Sequence, residues 1–374
     1  MSSTQKSKKI WPMTEKSELL FLLSIDKLTE NKLYDLLKRF GSPRNILSAA
    51  HVDVKTLVGP EIANKIVRYS INDTLRKKNE LVDKLGIEII PYYSPEYPSW
   101  LKNIDHFPPV IFSRGNILSE DEVAVAVIGT RGATVYGKEI ARRFAGDFAK
   151  AGVTVVSGLA RGIDTEAHIG CLQNNGRTIA VLGCGIDICY PPENKDLMKK
   201  IIEHGAVISE FAIGTPPFAQ NFPKRNRIVS GLAKAIVAIE AKDKSGVMNT
   251  VRWALEQNKD VFAIPGNIYS KTSYGTNRLI KDGAIPVTSA DEVLDYLGMK
   301  YTKQDRETKE ILLDKAEKVV WEALSFEPIY VDSLAERIDQ PTSTILNVLL
   351  KLEIKGYVKQ LPGMAFVKSF EQID

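Results

Sequence analysis

Three cysteines, Cys171, Cys184 and Cys189, are all that 374 residues contain, an odd number with no CxxC pair. Such scarcity argues against a disulfide framework and against a zinc ribbon, and leaves reduced thiols as the expectation. No apolar run approaches the roughly 18 residues of a membrane span. The opening MSSTQKSKKI is basic and polar, with no apolar signal segment behind it. No membrane partner is expected, and the protein is placed in the cytoplasm. Charge of one sign is lacking too: 50 basic against 46 acidic side chains leave a net +4, so any nucleic-acid footprint has to be a local patch. Also missing are GxxxxGK[ST], GxGxxG and GxSxG, which removes the P-loop, the dinucleotide fingerprint and the hydrolase elbow. The apolar share of 44% is ordinary for a soluble chain with room for two or three domains.

What is present divides by hydrophobic period. After a polar, basic tail over 1–13, residues 14–80 show helical spacing broken at Gly41, Pro43 and Gly59-Pro60, which predicts a small all-helical, SAM-like domain. Within it, LVGPEIANKIV is similar to a helix-hairpin-helix turn, where a glycine and a helix N-terminus can face a phosphate; such turns are also common without that role. From 81 to 298 short β-branched runs (AVAVIGT, VTVVSGLA, TIAVLGCG, AVISE, AIVAIEA, VFAIPG) alternate with amphipathic segments. Near-continuous apolar strands separated by helices predict a doubly wound, Rossmann-like α/β domain with a parallel sheet covered on both faces. IEIIPYY and PVIFSRG add strands at one edge. A polar linker spans 299–310, and 311–374 reads helix, helix, helix and two strands around Pro362-Gly363, the order of a winged helix. Its presumed recognition helix offers Ile345, Leu346, Val348, Leu349, Leu350 and Leu352 but only Lys351 and Lys355 as cations, a poor set for reading base edges and a better one for packing or protein contact.

In open α/β sheets ligands sit beyond the carboxyl ends of the strands. There the chain places Gly129-Thr130-Arg131, then Ser157-Gly158 running on to Arg161-Gly162, and further polar or glycine turns at 183–185, 209–210, 240–246 and 265–267. Gly158 and Gly162 let backbone N–H groups approach an anion, and a helix opening near Asp164 adds its positive end. The densest cationic run, NFPKRNRIVSGLAK, carries Lys224, Arg225, Arg227 and Lys234 without an acid, beside Phe222 and the amide of Asn226. A groove tracking several phosphates accounts for this better than a single-phosphate pocket.

Catalytic constellations are weak. Asp164, His168 and Cys171 share one helix face, but Asp164 also suits a helix cap and no other histidine lies nearby. Glu210 and Glu240 end strands, where a carboxylate either acts as a base or, more commonly, binds loop N–H groups. No catalytic group, metal or cofactor is assigned.

VIGTRGATVYG, SGLARGIDTEAH, GCGIDICYPPEN, FPKRNRIVSGL, IEAKDKSGVMNT and PGNIYSKTSYGTNRLIKDGA occur in order over about 160 residues. Together they resemble the DNA-processing protein A (DprA/Smf) family. The resemblance implies an extended Rossmann domain that dimerises, binds single-stranded DNA without sequence preference, and loads a RecA-type recombinase onto incoming DNA during natural transformation. It further implies that Arg131 and the basic residues Lys224, Arg225 and Arg227 with Asn226 contact the DNA backbone, and that Ser157, Gly158, Arg161, Gly162, Ser245, Gly246 and Asn249 line the pocket. An alternative is a nucleotide phosphoribohydrolase of the lysine-decarboxylase-like class. Its PGGxGTxxE motif is broken here, since PGNIYSKTSYGTNRLI lacks the second glycine and places Ile280 at the glutamate's position. A winged-helix regulator with a ligand-sensing α/β domain is a third reading, which specific duplex binding at high salt would favour.

Overall fold

The structure, a computed structural model, describes residues 14–69, 73–243, 245–299 and 313–369. The expected tail over 1–13 and all but the first residue of the expected linker over 299–310 lie outside the described residues. The chain opens with helices α1 (Glu15–Leu23), α2 (Glu30–Phe40), α3 (Pro43–Ser48), α4 (His51–Val58), α5 (Pro60–Val67) and α6 (Asp73–Leu85). Thr14, Thr29 and Ser42 cap the first three, each accepting a backbone N–H three residues on, and Gly41 ends α2 at φ +79°. Leu19, Leu22, Leu33, Leu36, Ile46 and Ile62 close their core. Helix α6 runs straight through residue 80, the expected boundary, because its Leu75 and Val82 bury against Ile87, Phe112 and Leu182 of the next domain. At the Gly59-Pro60 turn the first turn of α5 presents Glu61, paired with Lys27 at 3.1 Å and Lys65 at 3.2 Å. The acid in the first turn of α5 is thus drawn to cations on either side of the turn.

The second part alternates strands and helices. The strands are β1 (Glu88–Pro91), β2 (Val110–Gly115), β3 (Ala124–Ile128), β4 (Thr154–Ser157), β5 (Thr178–Val181), β6 (Ala206–Ser209), β7 (Ala235–Ala238), β8 (Asp260–Ala263) and β9 (Ile285–Pro286). From β3 onward they are connected by α7 (Val135–Lys150), α8 (Ile163–Gln173), α9 (Lys195–His204), α10 (Asn221–Gly231), α11 (Gly246–Glu256) and α12 (Tyr274–Lys281), with α13 (Ala290–Tyr296) closing the domain. They form one nine-stranded sheet in the order β1-β2-β6-β5-β4-β3-β7-β8-β9. The pairs from β6 to β9 are parallel, and β1 and β2 are antiparallel at the edge where IEIIPYY and PVIFSRG were expected. Strand β3 shows why both faces are apolar: Ala124, Ala126 and Ile128 join the core under α10, α11 and α12, while Val125 and Val127 join that under α7, α8 and α13. The chain winds one way from β3 to β6, then crosses back and continues from β7 on the other side. That reversal opens a crevice at the carboxyl end of β3.

His168 of α8 is fully buried, and its Nδ1 lies 2.7 Å from Thr178 Oγ1. Since that hydroxyl donates its own proton to Val155 O, the network assigns the ring proton to Nδ1 and leaves Nε2 bare, without a partner. A second ring proton would find no acceptor, and burial, helped by Arg225, pulls the ring down to about 3. The unfolded chain takes up this proton near pH 6.5 and the folded one does not, so the group costs stability progressively between those limits as pH falls. Denaturant titrations at pH 7 and pH 4.5 should show the pH-linked loss shrinking by about 2.5 kcal/mol in His168→Gln. An unchanged pH dependence would refute the assignment. Cys171 and Cys184 are buried thiols pushed up to about 12 by desolvation, and all three cysteines are free.

The third part is α14 (Lys315–Ala323), β10 (Ile329–Tyr330), α15 (Val331–Ile338), α16 (Thr342–Ile354), β11 (Val358–Leu361) and β12 (Ala365–Lys368), with a small antiparallel sheet ordered β10-β12-β11. Ile345, Val348, Leu349 and Leu352 of α16 are spent on its own core, which leaves Leu350 and Ile354 exposed. Lys355 lies against buried Glu317 at 2.7 Å, and Asp332, Glu336 and Asp339 surround the start of α16 beside Thr342. Asn267 and Tyr136 of the sheet domain meet Glu327 and Phe326 at the winged helix's near side.

Candidate nucleic-acid interface

The crevice at the end of β3 is a cleft of about 390 Å³ lined by Gly129, Thr130 and Arg131, by Gly158, Ala160 and Asp164, by Phe222, Arg225 and Asn226, and by Ser245, Gly246 and Thr250. Three strand-end turns and the first turns of α10 thus converge on one space, while the turns at 183–185, 209–210 and 265–267 lie outside its lining. Arg131 is exposed, its guanidinium 5.1 Å from the centroid of Phe222, whose other neighbour is the Tyr190 ring at 5.7 Å. No carboxylate pairs with Arg131 among the described residues, so a cation held on an aromatic platform faces the cleft. Opposite it α11 opens with Ser245 as N-cap, whose hydroxyl is buried with no hydrogen-bond partner. A helix N-terminus with an unspent capping hydroxyl is a place for an anion.

Two glycines make the convergence possible. A Cβ at Gly158 would fall 2.4 Å from Arg225 Nη2 and 2.6 Å from Asp164 Oδ2, and one at Gly162 would fall 2.3 Å from Thr130 O. Gly162, at φ +79°, therefore holds the turn after β4 against the turn after β3. Asp164 is not the cap of α8. It lies inside the first turn, and its Oδ2 accepts N–H bonds from Gly158 at 3.1 Å and Ala160 at 3.4 Å, which shapes the turn from within. Burial pushes this carboxyl above the usual range against the pull of Arg225.

The basic run divides. Arg225 is 4% exposed and donates through Nη1 to Gly158 O at 2.8 Å and to Val181 O; it floors the cleft without reaching solvent. Arg227 turns away entirely, gripping Glu210 with two bonds of 2.7 Å. Burial would raise Glu210, but those bonds and that charge hold its carboxyl below the usual range. Lys224 is half-exposed, yet it is bonded to Glu30 of α2 and lies 3.6 Å from Glu210. Glu30 is itself pushed up by burial and by Glu210 beside it. Arg227 is thus engaged by Glu210, Glu30 and His106 O, while Arg225 lines the cleft with Nη1 on two carbonyls and Nε on Asn226 Oδ1. Ser157 is likewise interior, its Oγ donating to Val127 O at 2.7 Å. Arg161 is exposed but outside the cleft lining, bonded to Glu193. Asn249 connects to the cleft through Asn226 Nδ2 at 3.3 Å. Glu240 accepts from Thr134 N at 2.9 Å, Thr134 Oγ1 at 2.7 Å and Thr272 Oγ1 at 3.1 Å, so both strand-end glutamates are occupied in holding loops. Sequence reasoning missed Glu30 and the turn-shaping role of Asp164. The latter had a signal, an acid two residues after the second glycine of SGLARG.

Residues 88–298 match the family model described as DNA recombination-mediator protein A, and residues 304–364 match the DprA winged helix domain. Protein Smf of Escherichia coli strain K12 is 39% identical over 287 residues, covering 74% of this chain and 76% of that protein. DNA processing protein DprA of Bacillus subtilis strain 168 is 37% identical over 223 residues, 58% of this chain and 75% of its own. The X-ray structure of DNA processing protein A from Streptococcus pneumoniae superposes with a TM-score of 0.65 at 33% identity, over 76% of this chain and 98% of that one. DNA processing protein A of Helicobacter pylori, described for its single-stranded DNA binding mode, gives a TM-score of 0.52 at 28% identity, over 57% of this chain and 97% of that one. With the sheet domain matched from end to end and the winged helix domain matched behind it, the chain belongs to the DNA recombination-mediator protein A (DprA/Smf) family.

Proposed function

We propose that this protein binds single-stranded DNA without sequence preference in the cleft at the end of β3, protects incoming DNA, and loads a RecA-type recombinase onto it during natural transformation. The observation that carries the reading is Arg131, a cation with no carboxylate partner among the described residues, mounted on Phe222 and facing the unspent N-terminus of α11. Phosphate suits the helix end and the guanidinium, and an aromatic platform suits any base, so nothing in the cleft selects a sequence. The Helicobacter pylori relative's single-stranded DNA binding supports it. The role is binding rather than catalysis, since Glu210 and Glu240 are committed to Arg227 and Thr134, and Ile280 stands on α12 where the phosphoribohydrolase motif needs an acid. A second copy joins through the sheet domain, whose Ile268, Tyr269 and Tyr274 leave apolar surface exposed. The winged helix, with Leu350 and Ile354 outward and acids around the start of α16, serves protein contact rather than duplex binding. No described helix is long and apolar enough to cross a membrane, and a cytoplasmic role fits the proposed partners.

Fluorescence anisotropy on a labelled oligonucleotide across a salt series tests this. Arg131→Ala should weaken binding and make the log–log salt slope shallower by about 0.7, one single-strand phosphate contact, with the melting temperature unmoved. A wild-type slope near zero, or tighter binding to duplex than to single strand, would sink the reading.

A further inference from the structure

The segment between β6 and α10, with the first turn of that helix, carries three phenylalanines, and two of them are occupied. Phe211 is 9% exposed with the Lys224 ammonium 5.4 Å from its ring, and Phe222 sits between Arg131 and Tyr190. Phe218 is different. It is 52% exposed and makes no ring or cation contact among the described residues, although its neighbour Ala219 and Phe222 both line the cleft.

The loop that presents it is held from several sides. Thr215 N donates to Ala212 O at 3.0 Å, Gly185 N to Thr215 O at 2.8 Å, and Gly214 N to Asp187 Oδ1 at 2.9 Å. Pro216 and Pro217 precede the ring, Phe218 N donates to Pro216 O at 2.8 Å, and Asn221 N donates to Phe218 O at 3.0 Å. Backbone fixed by two prolines and bonded on both sides has little conformational entropy left to lose when a ligand arrives. A single exposed aromatic needs no explanation in itself. One held on a rigid loop at the rim of an anion-binding cleft has the placement of the stacking residues that single-strand binders set beside a phosphate track.

We propose that Phe218 is a stacking platform for a nucleobase of the bound strand, next to the phosphate contacts of Arg131 and the α11 N-terminus; this rests on the single-strand binding proposed above. Stacking uses the π-face that every base shares, so the contact adds affinity without sequence preference.

The test crosses a protein change with a ligand change. Anisotropy is measured on the full chain at matched salt with oligothymidylate and with an abasic deoxyribose-phosphate strand of equal length. Phe218→Ala should weaken oligothymidylate binding about five- to a hundred-fold, the range for one stacked base. Its abasic affinity and its salt slope should stay at wild-type values, and Phe218→Trp should keep the preference for bases. Equal weakening on both ligands would mean a distorted loop and would overturn the proposal. No change on either would overturn it too, and would leave the ring to a protein partner. If wild type prefers bases and Phe218→Ala keeps that preference, the stacking assignment fails while single-strand binding stands; if wild type binds neither strand, both fail together.

Discussion

Arg225→Met should lower the melting temperature by roughly 10 °C, corresponding to about 3–5 kcal/mol for removing one partner of a buried charged network in a domain of this size. Methionine fills most of the volume but supplies none of the donors. Gly158 O and Val181 O each lose a charged hydrogen bond, and Asp164 is left buried with only its two N–H bonds. Because the same side chain supports the turn carrying Gly158 and Ala160, loss of DNA affinity should follow from loss of the turn. Arg131→Met provides the contrast: exposed and unpaired, it should melt with wild type while binding single strands less well. Differential scanning fluorimetry beside anisotropy separates the two cases. An Arg225→Met protein that melts like wild type would show that the buried guanidinium is not structural.

The second large effect is expected at Gly162→Ala. The residue sits at φ +79° and ψ −127°, a region that side chains strongly disfavour, and the new Cβ would meet carbonyl oxygens rather than a movable side chain. Strain of that kind costs on the order of 1–3 kcal/mol before the clash is counted. Relief requires the turn after β4 to withdraw from the turn after β3, which separates Arg131 from the α8 end of the cleft. Single-strand affinity should therefore fall at least about ten-fold, and stability should fall by more than about 2 kcal/mol. Gly132→Ala is the control, since its Cβ meets nothing within 4 Å and its backbone is not left-handed; it should stay within about 0.5 kcal/mol of wild type. Equal behaviour of the two alanines would refute the close approach.

Much of this was legible in the sequence because it is written locally. A β-branched run followed by a glycine turn marks both a strand and its functional end, so Arg131, Gly158, Ser245 and Gly246 could be placed in one cleft before any contact was known. The partners of the basic run are illegible for the opposite reason. Scanned along the chain it contains no acid, but Glu210 is 17 residues before Arg227 and Glu30 is 194 residues before Lys224. Only the crossover that stacks α10 on the sheet brings them together. Helix α6 was cut at residue 80 because its charged stretch around Arg76 to Glu80 hides an apolar stripe that only Leu75 and Val82 mark. On α16 the apolar excess is legible, but not its destination: Ile345, Val348, Leu349 and Leu352 face the winged helix's own core.

On the single-strand binding proposed above, the ion pair between Lys224 and Glu30 would give the helical domain a part in the thermodynamics of binding. A free surface lysine that meets a phosphate displaces a condensed cation from the DNA, and this release is what makes affinity fall with salt. Lys224 already has a counter-ion built into the fold. If a phosphate takes its place, Glu30 and Glu210 are left to share Arg227 alone, and the cluster's remaining negative charge recruits a cation from solution, so the ion released at the DNA is balanced by one taken up at the protein. A contact made through this lysine would thus exchange one neutralised charge for another with little net change in bound salt, so its share of the proposed affinity would persist as ionic strength rises.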